Sequence, residues 1–326
     1  MSELLCLNPE YSTTRRISQV SRIPRETPGA DFSRKLFLPA HPERKGEGGL
    51  RTRGHVKVAA GIDDDTAKGS DHESRHPLVT VITVVFNGAK TLEQAIISVL
   101  TRSYDNFELL IIDGGSTDGS LDIIKKYDHA IDYWVSEPDK GIYDAMNKAL
   151  DVALGDRIYF LGCDDLLVND LRDIAPLFRK RGVLYYGDVY MIHRHQLYDG
   201  AFNGFKLAVK NICQQAIFYP RGVFEKYRFD TQYQMLADYH LNMRCYADPD
   251  LSLAYVPELV AIYNDTSGAS SSRVDDALEK NRNRLTRQYF PTSIYLYYRL
   301  HGALRRLLGL LGLKGIVKIA LRKLSA

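Results

Sequence analysis

Four short apolar runs, separated by helical patterns, fill the stretch from residue 78 to residue 162. The runs are LVTVITVVF (78–86), FELLIID (107–113), residues 131–136 and RIYFLG (157–162). Their β-branched and aromatic residues are typical of strands that are buried on both faces. The segments between them carry apolar residues at helical spacing. This alternation predicts an α/β fold with a mostly parallel central sheet flanked by helices.

Polar and acidic residues stand directly after three of the four predicted strands. Asn87 follows the first strand, Asp113 ends the second, and Asp164 and Asp165 follow the fourth. Ligands of such sheets bind beyond the carboxyl ends of the strands. These residues are therefore expected to gather at one edge of the sheet and to form a ligand site there.

The adjacent Asp164 and Asp165 are candidates for metal binding. Two neighbouring carboxylates at the end of a buried strand repel each other, and a divalent cation relieves that repulsion. Oxygen ligands suit Mg²⁺ or Mn²⁺, which bind one or two protein carboxylates together with substrate phosphate oxygens. A pair that caps a helix is the alternative interpretation, because Asp is favoured at helix N-termini.

Two further loops offer groups for a nucleotide. Asp113 can accept hydrogen bonds from a nucleobase or a ribose, and the GGSTDG loop after it allows backbone amides to approach a ligand. Asp139 and Lys140 precede a predicted helix N-terminus, which favours anions, so Lys140 can contact a diphosphate and Asp139 a ribose or sugar. A tight turn and a solvated turn are the respective alternatives.

Asp238 is a lone acid among apolar residues at the start of a predicted helix around residues 235–246. A carboxylate there can act as general base on an acceptor hydroxyl, a role that contributes typically about 10²- to 10⁴-fold in rate. A helix cap is the alternative role for this aspartate.

Composition divides the chain into three parts. Residues 1–76 contain several prolines, many arginines and few large apolar residues, which predicts a mostly disordered N-terminal extension. Residues 77–290 hold the apolar patterns and form the predicted functional domain. Residues 291–326 carry seven Lys or Arg and no Asp or Glu, which predicts a basic amphipathic tail.

Charge and cysteine content restrict the cellular setting. The net charge of +3 argues against nucleic acid as a partner. The four cysteines form no C-x-x-C pair, which fits a reducing cytoplasm. No signal-peptide core and no apolar run of about 18 residues are seen. We expect a cytoplasmic protein whose tail contacts the inner face of the plasma membrane; a tail that packs on protein is the alternative.

Five blocks of the sequence, in the same order, resemble the family 2 glycosyltransferases, which are inverting enzymes with the GT-A fold. They are TVITVVFNGAKTLEQAIISVL, FELLIIDGGSTDGS, SEPDKGIYDAMNKAL, GDRIYFLGCDDLL, and AIFYPRGVF followed by MLADYHLNMR. The third block resembles a bacterial branch that builds exopolysaccharide, colanic acid-like and O-antigen chains. The resemblance implies that residues 77–290 are a GT-A catalytic domain. Its donor would be a nucleotide-diphosphate sugar, expected to be a UDP-sugar, and its acceptor a hydroxyl of a saccharide or a lipid-linked sugar.

The same resemblance implies roles for residues at the donor site. Asp113 resembles the aspartate that reads the base, and Thr83 and Asn87 lie in the segment that lines the base pocket.

The resemblance extends to the reacting groups. Asp165 resembles the metal-binding last aspartate of a D-x-D motif, and Asp238 resembles the catalytic base. Asp164 stands beside Asp165, where it would bind the ribose of the nucleotide sugar or the metal. Cys163 stands where strict D-x-D members have an acid, which implies fewer protein ligands for the metal. The Q-x-x-R-W motif of processive synthases is absent, which implies transfer of one sugar to each acceptor.

Two other functions stay open on the sequence. A nucleotidyltransferase that makes sugar nucleotides would be expected to have a Gly-rich, basic loop after its first strand, where this chain has FNGAK. A non-catalytic sugar-nucleotide or lipid-binding protein would not need all three of Asp113, Asp165 and Asp238.

Overall fold

The computed structural model describes residues 35–57, 59, 77–178, 180–266 and 275–311, and the backbone of three short strands between residues 3 and 22. The strands are β1 (Glu3–Asn8), β2 (Tyr11–Ile17), β3 (Ser21–Arg22), β4 (Gly46–Gly48), β5 (His55–Val56), β6 (Val79–Val85), β7 (Phe107–Asp113), β8 (Tyr133–Ser136), β9 (Arg157–Phe160), β10 (Leu166–Leu167), β11 (Val183–Met191), β12 (Gln196–Tyr198), β13 (Ile217–Pro220) and β14 (Ser252–Tyr263). The helices are α1 (Leu92–Leu100), α2 (Ser120–Lys126), α3 (Ile142–Val152), α4 (Leu171–Ile174), α5 (Gly204–Val209), α6 (Arg221–Lys226), α7 (Ala237–Ala247), α8 (Asp276–Tyr289) and α9 (Thr292–Leu310).

The first half of the sheet follows the predicted alternation of strands and helices. All seven residues of β6 are buried, and β6 pairs in parallel with β7 from Val79↔Phe107 to Val85↔Asp113. Strand β8 pairs in parallel with β7, and β9 pairs in parallel with the other edge of β6. The predicted α/β fold is confirmed, and the carboxyl ends of these strands share one edge.

The second half extends the same sheet with strands of both directions. Strand β13 pairs antiparallel with β9, β11 pairs antiparallel with β13, and β14 runs parallel to β11. The sheet is therefore mixed, and its parallel character is concentrated in the first half. Because β13 runs against β9, the residues just before β13 lie at the edge where β9 ends.

Apolar side chains cover both faces of the sheet. Ile82 packs in one cluster with Met146 of α3, whereas Val81 packs in a second cluster with Ile96 of α1. Successive side chains of a strand point to opposite faces. The β6 run is buried throughout and carries apolar residues on both faces, because helices cover both.

Residues 35–57 differ from the predicted disorder of residues 1–76. Strand β4 pairs antiparallel with β8, and the buried Arg51 forms an ion pair with Glu108 of β7 at 2.5 Å. Arg51 also donates a hydrogen bond to the carbonyl of Val152. A buried glutamate needs a cationic partner, and Arg51 supplies it. The average composition of the segment does not reveal this contact, because a single arginine makes it. Residues 60–76 lie outside the described residues.

Helices α8 and α9 end the described chain. Among the described residues, no helix has the length and apolar character needed to cross a membrane. Lys314, Lys318 and Arg322 of the predicted basic tail lie outside the described residues.

Candidate functional site

The loops after β6, β7 and β9 meet at the carboxyl edge of the sheet. The backbone N–H of Asn87 donates to the Ser116 hydroxyl at 2.7 Å, and the N–H of Thr117 donates to the Asn87 carbonyl oxygen Oδ1 at 2.9 Å. A Cβ added to Gly88 would lie 3.0 Å from the Cys163 sulfur, so this loop also packs against the end of β9. The predicted gathering of strand-end residues is thus found in the structure.

Asp113 and Thr83 are buried beneath this edge. Asp113 accepts hydrogen bonds from the backbone N–H of Ser116 at 3.2 Å and from the Ser136 hydroxyl at 2.6 Å. Both residues have exposed fractions of 2% or less. The carboxylate of Asp113 therefore fixes the turn that begins the GGSTDG loop, and its contact with a nucleotide base stays a prediction.

Asp139 lies against the start of that loop. A Cβ added to Gly114 would lie 2.4 Å from the Asp139 oxygen Oδ2, so a side chain at Gly114 would displace Asp139. Burial raises the pKa of Asp139, and the hydrogen bond from the Gly141 N–H opposes that rise. Lys140 is exposed at the N-terminal end of α3. The two residues thus border the GGSTDG loop beside a helix N-terminus, where anions are favoured.

Asp165 is buried, with 1% of its surface exposed, and both of its oxygens accept hydrogen bonds. The Gln215 amide Nε2 donates to Oδ2 at 2.8 Å, and the Asn264 backbone N–H donates to Oδ1 at 2.8 Å. Burial, together with the nearby charge of Asp164, raises the pKa of Asp165 to about 7. Burial also raises the pKa of the half-buried Asp164. The cost of ionising both carboxylates is therefore high without a neighbouring cation.

The donor set at this position suits a hard divalent cation. Within the described residues, no group of three or more His, Cys, Asp or Glu side chains is arranged to hold a metal. Two carboxylates are enough for Mg²⁺ or Mn²⁺, which complete their coordination with water and substrate phosphates. Burial raises the pKa of the Cys163 thiol to about 12, and a sulfur ligand is softer than the oxygen ligands that Mg²⁺ and Mn²⁺ prefer.

Asp238 lies in the first turn of α7 and is also buried. The Tyr143 hydroxyl lies 2.9 Å from its Oδ1, and the Asn211 amide Nδ2 donates to its Oδ2 at 2.6 Å. Burial raises the pKa of Asp238 to about 6, and these two donors limit the rise. A carboxylate with this pKa is ionised at neutral pH and can still take a proton, which is what a general base requires. The neighbouring His240 has its pKa lowered to about 4 by burial and stays neutral.

One short segment links the two carboxylates. Asn211 binds Asp238, and Gln215, four residues further, binds Asp165. The Cα atoms of Asn211 and Gln215 can therefore lie at most about 14 Å apart. The segment between them places both carboxylates near the carboxyl end of β9. Neither amide could be identified from the sequence, because neither carries a charge or belongs to a periodic pattern.

A family model described as Glycosyl transferase family 2 matches residues 80–228. The PGL/p-HBAD biosynthesis glycosyltransferase of Mycobacterium bovis (strain BCG / Pasteur 1173P2) is 36% identical over 220 residues, which cover 65% of this chain and 86% of that protein. The protein of the same name from Mycobacterium tuberculosis (strain ATCC 25177 / H37Ra) has the same identity and coverage. An uncharacterized glycosyltransferase of Haemophilus influenzae is 40% identical over 97 residues, 29% of this chain and 39% of that protein.

Solved structures of S. aureus TarS have a similar fold. TarS matches with a TM-score of 0.53 at 16% identity, covering 64% of this chain and 38% of that chain. TarS 1-349 in complex with UDP-GlcNAc matches with a TM-score of 0.50 at 14% identity, covering 65% and 71% of the two chains. At these identities the similarity concerns the fold alone.

Proposed function

The chain belongs to glycosyltransferase family 2 and has the GT-A fold, and from this premise we propose that it transfers one sugar from a nucleotide-diphosphate donor to an acceptor hydroxyl. The proposed transfer requires a divalent metal and inverts the anomeric configuration of the sugar. The observation that carries the proposal is the pair of buried carboxylates, Asp165 and Asp238, joined through residues 211–215. The relatives reported above are named as glycosyltransferases. The nucleotidyltransferase and the non-catalytic binding protein are therefore set aside.

Asp165, with Asp164 beside it, is the residue that we assign to Mn²⁺ or Mg²⁺. When bound there, the cation would offset the negative charge of the leaving nucleotide diphosphate. Gln215 and Asn264 each donate to one oxygen of Asp165 and so fix its orientation. Each carboxylate oxygen keeps a further lone pair for the metal.

Asp238 is the residue that we assign to proton removal from the acceptor. The acceptor hydroxyl loses its proton to Asp238 as its oxygen attacks the anomeric carbon from the side opposite the leaving group. The transition state has oxocarbenium-like character, as in other glycosyl transfers. Attack from that side inverts the anomeric configuration, so NMR of a product with retained configuration would contradict the mechanism.

The donor nucleotide is assigned to the edge formed by the loops after β6 and β7. Asn87, Asp113 and Thr83 shape this edge, and the exposed ring of Phe86, with 66% of its surface accessible, offers a flat face for a base. Lys140 at the start of α3 suits the diphosphate, and Asp139 suits the ribose or the sugar. A UDP-sugar is the first donor to test, because TarS was solved with UDP-GlcNAc.

We assign the acceptor to the saccharides or lipid-linked sugars of cell-surface polysaccharide synthesis. The mycobacterial relatives are named for PGL/p-HBAD biosynthesis. Helix α9 exposes several leucines on one side and carries arginines but no acidic residue, which fits peripheral contact with an anionic bilayer. The exposed leucines are Leu296, Leu300, Leu307 and Leu310 of the helix and Leu311 directly after it.

Vesicle sedimentation tests the membrane contact. The variant with Leu300→Ser and Leu307→Ser should lose binding to anionic phospholipid vesicles, whereas Leu177→Ser, at an exposed leucine of another surface, should keep it. Equal sedimentation of the two variants would contradict a role for α9.

A donor screen tests the transfer reaction. The purified chain is incubated with Mn²⁺, a saccharide acceptor mixture and a panel of UDP-, GDP- and dTDP-sugars, and released nucleotide is measured. Release from one donor class should be lost in Asp165→Asn and in Asp238→Asn but kept in Asp122→Asn, a change at an exposed carboxylate of α2. Full activity of Asp165→Asn or Asp238→Asn would refute the assignment of that residue.

A further inference from the structure

The Tyr143 hydroxyl has two acceptors and only one proton. It lies 2.9 Å from the Asp238 oxygen Oδ1 and 2.9 Å from the backbone carbonyl of Met235. Both acceptors are at normal hydrogen-bond distance, and a phenol donates one hydrogen bond at a time. Tyr143 is buried, with its ring against Phe229 at a centroid distance of 5.2 Å. The hydroxyl is therefore held in place while its proton can point to either acceptor.

The other oxygen of Asp238 is the end point of a chain of donors. The Tyr219 hydroxyl donates to Asn242 Oδ1 at 2.8 Å, and Asn242 Nδ2 donates to Asn211 Oδ1 at 2.8 Å. Asn211 Nδ2 then donates to Asp238 Oδ2 at 2.6 Å. Every bond in this chain points toward the carboxylate. The chain stabilises the ionised form of Asp238 and offers no acceptor for a carboxyl proton.

We propose that Tyr143 is a positioning residue that satisfies Asp238 in both of its protonation states by redirecting one hydroxyl proton. With Asp238 ionised, the Tyr143 O–H donates to Oδ1. Once Asp238 holds the proton from the acceptor, the carboxyl O–H at Oδ1 donates to the Tyr143 oxygen, and the Tyr143 O–H turns to the Met235 carbonyl. Tyr143 keeps its own proton throughout, so the only proton transferred is the one from the acceptor to Asp238. This inference rests on the proposed role of Asp238 as base.

The groups that face Asp238 leave this exchange undisturbed at neutral pH. Five side chains interact electrostatically with Asp238, and burial raises the pKa of each. They are Tyr143, Tyr198, Tyr219, Tyr239 and Cys213. All five are therefore neutral in the range where Asp238 titrates. The raised pKa of Asp238, about 6, keeps both of its protonation states accessible near neutrality.

Carboxyl spectroscopy tests the two hydrogen bonds separately. In a chain labelled with ¹³C at the aspartate carboxyls, Asp238 is identified by the resonance that Asp238→Asn removes. In Tyr143→Phe its pKa should rise by about one unit, because a donor to the charged form is stronger than an acceptor for the neutral form. At low pH, the infrared C=O band of neutral Asp238 should move to higher frequency, since its O–H has lost its acceptor.

The control is Tyr104→Phe, which removes another tyrosine hydroxyl bonded to a backbone carbonyl, that of Pro77. Tyr104 packs in the apolar cluster of Val81 and Ile96, whereas Tyr143 packs in the cluster of Ile82. It should leave both signals of Asp238 unchanged. An unmoved or lowered pKa in folded Tyr143→Phe, or an unmoved infrared band, would overturn the inference. Both measurements are made without substrate, so they stand even if no sugar transfer is found. If transfer is found, the acid limb of the kcat/KM profile should move upward with the pKa of Asp238 in Tyr143→Phe.

Discussion

Replacing Gln215 by leucine should weaken metal binding without removing a metal ligand. Gln215 Nε2 donates at 2.8 Å to Oδ2 of Asp165, the residue assigned to the cation. A hydrogen bond to a charged group contributes about 1.5–3 kcal/mol. Because about 1.4 kcal/mol corresponds to a factor of ten, the apparent Kd for Mn²⁺ should rise by about 10- to 100-fold, which agrees with the usual effect of losing a residue that orients a metal ligand.

Manganese titration of nucleotide release, together with calorimetric titration in the presence of the donor, measures that change. At saturating Mn²⁺, kcat should stay close to its value in the unmodified chain, because the ligand itself is retained. The neighbouring Gln214→Leu is the matched control: Gln214 is buried, and its amide contacts the Met146 sulfur at 3.6 Å instead of a carboxylate. An unchanged Mn²⁺ dependence in Gln215→Leu, or an equal change in Gln214→Leu, would refute the reasoning.

Three further changes test the fold and the site. Arg51→Met leaves Glu108 as a buried charge without its ion-pair partner, so urea unfolding should reveal a loss of about 3–5 kcal/mol; a loss below about 1 kcal/mol would argue against this ion pair. Gly162→Ala puts a Cβ 2.4 Å from Asp165 Oδ2 and should lower kcat/KM by about 10²-fold. Gly222→Ala, whose Cβ would meet nothing within 4 Å, should not lower it. The pKa of Asp165 rises from 3.8 to about 7 on folding. The protonated Asp165 therefore contributes fully to the free energy of unfolding below about pH 3.8, and this contribution is lost as the pH rises through about 7. Added Mn²⁺ should therefore raise Tm more at pH 8 than at pH 5, and an equal rise at both pH values would contradict this.

The sheet and its strand-end residues could be predicted because both depend on local patterns. All residues of β6 and β7 are buried, and each strand has apolar residues on both faces, which requires two covered faces whatever the rest of the chain does. Parallel strands then bring the loops of Asn87 and Asp113 to one edge.

The order of residues 35–57 could not be predicted from composition. An average over a segment rich in proline and arginine reports few apolar residues, but the segment is ordered by particular contacts: β4 completes the edge of β8, and Arg51 neutralises Glu108. Each contact joins residues far apart in sequence. Neither leaves a periodic pattern in residues 35–57 that a reading of the chain could detect.

The chemistry of the two carboxylates also arises from residues that a sequence pattern does not indicate. Asp165 and Asp238 are recognisable as acids, but their pKa values of about 7 and about 6 come from burial and are limited by the donors Gln215 and Asn211. Both amides lie just before β13, and the antiparallel pairing of β13 with β9 holds that segment at the end of β9. A parallel β13 would carry the same residues to the opposite edge of the sheet. The direction of one short strand therefore determines whether the two aspartates receive the hydrogen bonds that orient them and limit the rise of their pKa values.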